Sequence, residues 1–150
     1  MLKTLHLLGV VIFLGNIIVS AVWRLLAQRI DNKEVHQFSI KLIQRTDIFF
    51  TAPGVVLMGV TGHMLAAGLG GIGAHGWIYH SYALLTVSAL IWLGALIPIQ
   101  RKQKRLLDES HSIKEAGIRY TTLNRWWAIL RVIATILPLI ALYLMVVRPV

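Results

Sequence analysis

Cysteine is missing from all 150 residues, so neither a disulfide nor a thiolate metal site is open to this chain. Charge is scarce as well: Asp, Glu, Lys and Arg make up 14% of the residues, and only six of them are acids. Beside 57% hydrophobic residues and a mean hydropathy of +0.70, that scarcity excludes a soluble domain, which has no core large enough to hide so much apolar surface. Alternation of the strand type is absent, which removes a membrane barrel. No lipidation motif, internal repeat or low-complexity tract occurs.

What the chain has instead is four apolar runs, at about residues 5–23, 48–67, 77–99 and 126–147. Each is near the roughly 20 residues that cross a hydrocarbon layer of about 30 Å. Lipid offers no hydrogen bonds to the backbone, so the runs must be helices. The expected fold is all-α: an integral membrane four-helix antiparallel bundle, one domain over residues 1–150. Lys3 and Val19-Ser20-Ala21 give the first run a signal-peptide look, but Arg24 follows with no mature-domain start, and the run is read as a retained helix.

Cations set the orientation. Loop 24–46 holds Arg24, Arg29, Lys33, Lys41 and Arg45, and loop 100–125 holds seven more, from Arg101 to Arg125. The glycine-rich stretch from Gly68 to Gly76 holds none, and all six acids share the basic side. The positive-inside rule then places both basic loops in the cytoplasm and both termini in the periplasm of a bacterial inner membrane. The net charge of +9 is thereby a topology signal and a contact for membrane lipids, not a nucleic-acid surface.

Local signals add detail. Val35, Phe38, Ile40, Leu42 and Ile43 make the first basic loop amphipathic, as an interfacial helix or an extension of helix two. Thr46-Asp47 reads as the N-cap of helix two, with Pro53 bending it or marking its start. Pro138 predicts a kink in helix four. Trp126 and Trp127 suit a cytoplasmic aromatic belt, and Trp77 and Tyr79 an outer one. An Arg131–Asp47 pair is expected as a structural tie.

The chemistry points to the histidines. At about 1.5 Å per helical residue, His6, His63 and His80 fall in one layer near the outer ends of helices one, two and three, with His75 in the adjoining loop. His6, Gly9, Phe13, Asn16 and Ser20 share a helical stripe that suits the bundle interior. Imidazole ligates both heme iron and metal ions, and ionisable groups inside a membrane are functional by default. His36 and His111, in the basic loops, are assigned no role.

The opening Lys3-Thr4-Leu5-His6-Leu7-Leu8-Gly9, the pair Thr46-Asp47 and the run Ile97-Pro98-Ile99-Gln100 resemble an uncharacterised bacterial family of small four-helix membrane proteins, a domain of unknown function. More distantly, Lys3-Thr4-Leu5-His6, Ala52-Pro53, Gly76-Trp77 with His80, and Val146-Val147-Arg148-Pro149 are similar in order to motifs of HemJ-type protoporphyrinogen oxidases, with CopD-type membrane proteins of the same layout. That similarity implies heme b and an oxidoreductase activity. The chain departs from it in the displaced His80 and in having no Lys in helix three before Lys102.

Three functions follow as expectations. The first is heme b held by His6, His63 and His80, with His6 and His63 the preferred axial pair, for electron transfer or heme handling with a quinone or porphyrin partner. The second is copper or zinc on His6, His63, His80 and His75. The third is a cofactor-free accessory subunit, as a homodimer or within a larger complex.

Overall fold

The structure, a computed structural model, describes residues 1–149, and all regular structure among them is helical. Helix α1 covers Leu2–Ala27, α2 Lys33–Ala67, α3 Gly76–Glu109 and α4 Ile113–Val147. All four are long and apolar enough to cross a membrane. The chain runs up and down, so both described ends and the loop after α2 share one end of the bundle. The two other short turns, flanked by the basic segments, share the other.

Helices α2, α3 and α4 outrun their apolar segments because the amphipathic loops continue them. Helix α2 begins at Lys33, where the Asn32 side chain accepts from the backbone of Glu34 at 2.8 Å and Val35 at 3.2 Å. Thr46 is therefore no cap: it lies inside the helix and its hydroxyl donates back to the Ile43 carbonyl. Ser112 caps α4 by accepting from Glu115 N–H, while the Glu115 carboxylate reaches back to His111 N–H.

Two π-helical turns interrupt the long helices, Asp47–Thr51 in α2 and Trp92–Leu96 in α3. Both stand just ahead of a proline, Pro53 and Pro98. A proline ring offers no N–H to the carbonyl four residues back and presses against it. Widening the preceding turn relieves that crowding: Ala52 N–H bonds to Asp47 O and Ile97 N–H to Trp92 O, five residues apart. Pro53 thus neither starts nor stops its helix. In α4 the non-helical backbone falls at Gly117 (φ 68°, ψ −160°), not at Pro138, which lies buried within the helix.

Packing divides the bundle into two hairpins, α1 with α2 and α3 with α4. Within lipid, close backbone approach replaces hydrophobic collapse as the source of packing. A Cβ on Gly9 would sit 2.8 Å from Met58 N, and one on Gly54 3.0 Å from Phe13 N. In the other hairpin, Ser88 and Ser81, one heptad apart, donate to the carbonyls of Ala134 at 2.7 Å and Ala141 at 3.4 Å. Val11, Val56, Leu90 and Val132 are exposed on the outside, as lipid-facing residues are.

A buried polar seam joins the hairpins in the basic half. Arg24, only 1% exposed, donates to His36 O, Ser39 Oγ, Tyr120 Oη and Asn124 Oδ1 at 2.7–3.2 Å. The Asp47 carboxylate accepts from Asn16, Thr51 and Trp92 Nε1, and lies 3.9 Å from Arg131 Nη2, which also donates to the Ser20 hydroxyl. Trp127 lies between the two guanidiniums, 6.0 Å from Arg24 and 5.7 Å from Arg131. Trp127 therefore faces inward, and only Trp126 stands exposed at the belt position. His36 is likewise no loop residue: it is buried, with Nδ1 2.7 Å from Tyr120 Oη and Nε2 2.9 Å from Ile30 O.

Candidate functional site

Every hydrogen bond between the hairpins among the described residues lies in the basic half. Toward the end that holds the termini the hairpins part around a cavity of about 260 Å³. Val10 of α1, Met58 and Gly59 of α2, Leu85 of α3 and Leu142 of α4 line its apolar walls. A narrow crevice runs on from those residues past Phe13, Leu14 and Pro138. Gly59 lines the cavity, and a Cβ there would meet nothing within 4 Å.

Polar groups in this lining are few. His6 is half-buried, and its Nδ1 lies 3.0 Å from the Met58 carbonyl and 3.2 Å from Thr61 Oγ1. A carbonyl only accepts, and the Thr61 hydroxyl donates to Leu57 O, so Nδ1 carries the proton. That tautomer leaves the Nε2 lone pair without a partner in the protein among the described residues. Gly62 makes room for the ring, because a Cβ there would lie 2.9 Å from His6 Cε1. Tyr82 is also a lining residue, and its hydroxyl is buried without a hydrogen-bond partner among the described residues. Such a group costs roughly 1–3 kcal/mol until something bonds to it.

Lys3 and Arg148, both exposed, mark the mouth. Arg148 ends α4 in the left-handed region (φ 48°), and its guanidinium lies over the Trp77 ring at 5.6 Å. Nothing in the sequence marks Lys3, Tyr82 and Arg148 as neighbours, because which faces and ends of the helices meet here is set by tertiary packing.

The structure does not bring the histidines together. His63 and His80 are exposed and lie outside the cavity lining; His80 Nδ1 turns back on Gly76 O at 2.6 Å. His75 is exposed too, stacked on Trp77 with centroids 6.1 Å apart. Equal depth did not mean a shared face. No group of three or more His, Cys, Asp or Glu side chains is placed to hold a metal ion among the described residues. The copper or zinc centre expected on His6, His63, His80 and His75 thus has no assembled ligand set among the described residues, and of the expected heme ligands only His6 lines the cavity. A single imidazole, His6, is the ligand that the cavity offers.

Fold and cavity together define the class: a four-helix integral membrane protein whose two hairpins are tied at one end and parted around an apolar chamber at the other. Within that class the chain belongs to the family described as "Predicted integral membrane protein (DUF2269)", whose model matches residues 1–149. Neither a curated protein nor a solved structure gives a significant match.

Proposed function

We propose that the protein binds a membrane-soluble amphiphile in the cavity, apolar body between the hairpins and polar head toward His6 and Tyr82, and holds or hands on that molecule. Quinones and porphyrins belong to this chemistry. The observation that carries the reading is an apolar chamber whose lining includes His6, with Nε2 unpartnered, and Tyr82, whose buried hydroxyl has no partner among the described residues. A stable packed interior closes such a space or satisfies such a group. By the distribution of cations, the chamber lies at the periplasmic side of a bacterial inner membrane. Gly59→Leu tests the reading, because the added side chain enters open space. The wild-type protein is expected to carry a lipophile, identified by mass spectrometry of its extract, that the variant lacks while retaining its fold. Identical extracts from the two would refute it.

A second reading is favoured by the His6 tautomer. Heme ligands commonly donate one ring N–H to a carbonyl, which fixes the other nitrogen toward the iron. Met58 O meets that condition for His6. Heme b, if bound, would take His6 as its one protein ligand and supply one-electron redox chemistry. Protein expressed with excess heme should then show a Soret band that His6→Ala removes and that His63→Ala and His80→Ala leave intact. A band independent of His6 would rule this out.

A further inference from the structure

We infer that the amphiphile is a single-chain lipid with an anionic head, carboxylate or phosphate, held between Lys3 and Arg148. The inference rests on the cavity being a binding site and names its ligand class. Two observations carry it, one at each end of the chamber.

The first is charge. Lys3 and Arg148 both line the cavity, and no Asp or Glu among the described residues does. All six acids of the chain are Asp31, Glu34, Asp47, Asp108, Glu109 and Glu115, each in the basic half or its turns. Neither cation has a carboxylate partner among the described residues. Arg148 is also positioned: its N–H bonds to Leu144 O at 2.9 Å and its guanidinium is set over Trp77. An anchored guanidinium presents its fork to a carboxylate or phosphate without further ordering.

The second is shape. Behind the mouth the walls are mostly apolar, at Val10, Met58, Leu85 and Leu142. A cavity of about 260 Å³ with such walls takes part of one chain, not a pair of acyl chains.

Trp77 lines the cavity and reports occupancy. In nanodiscs of zwitterionic phosphatidylcholine, a brominated fatty acid should quench its emission saturably at one per protein, and a brominated lysophosphatidate likewise. The matching brominated alcohol should bind about tenfold more weakly, the scale of one charge-assisted contact. Trp77→Phe isolates the signal from the other four tryptophans. Lys3→Gln with Arg148→Gln, both at exposed positions, should bring the acid down to the affinity of the alcohol. Equal binding of acid and alcohol, or an acid affinity unmoved by the double variant, overturns the anionic assignment. If Gly59→Leu still abolishes quenching in that case, the cavity reading stands without it. Should Gly59→Leu leave quenching unchanged, the cavity and the inference fall together.

Discussion

Arg24 shows how one side chain decides the architecture. Its charge looks like an ordinary topology signal at a helix end, yet the guanidinium turns inward and makes four hydrogen bonds to both hairpins. Arginine suits this place because its planar fork serves several acceptors at once while staying charged. Truncation would leave Ser39, Tyr120 and Asn124 facing a void. Arg24→Ala is expected to lower stability by roughly 3 kcal/mol, read from denaturation in mixed micelles. Arg24→Lys should recover less than half of that, since an ammonium reaches fewer of these acceptors; full recovery would show that charge alone matters. Arg24→Ala should also loosen contact between the hairpins without touching the cavity lining.

At the scale of elements, close approach is the organising device, and position along a helix decides how much a substitution costs. Gly9 and Gly15 lie six residues apart on α1. A side chain on Gly9 collides with the backbone of α2 at Met58, whereas one on Gly15 meets nothing within 4 Å. Gly9→Leu should therefore part the first hairpin and prevent a stable fold, while Gly15→Leu should be neutral or slightly stabilising through helix propensity. Comparable melting temperatures for the two variants would contradict the observed packing. The π turns belong to this scale as well. Each adds a residue to its turn and so rotates the helix before it by about 100°, which brings Asp47 and Trp92 within 3.2 Å of each other. Sequence shows the prolines but not where the extra residue is absorbed, because that depends on which rotation satisfies the buried acid.

For the whole molecule, the absence of cysteine makes orientation simple to test. Gly73→Cys, in the turn between α2 and α3, should react with a membrane-impermeant maleimide on intact cells. His111→Cys, exposed in the turn between α3 and α4, should react only after lysis. The reverse pattern would put the cavity on the cytoplasmic side and invert the proposed periplasmic placement.

Helix number, the antiparallel order and the common end of the described termini were legible in the chain, since lipid forces every apolar run of sufficient length into a helix. The inward stripe of His6, Gly9, Phe13, Asn16 and Ser20 was legible for the same reason, through the period of 3.6 residues. Which histidines meet was not. Depth follows from counting residues along one helix, but azimuth depends on how each helix is turned against its neighbours. That turn is set by contacts distant in sequence: Gly9 on Met58, Ser88 on Ala134, Arg24 on Tyr120. Those contacts faced His63 and His80 outward and left His6 alone in the chamber. The chain by itself determined that this is a membrane bundle; only the packing of its two hairpins decided where a ligand has room.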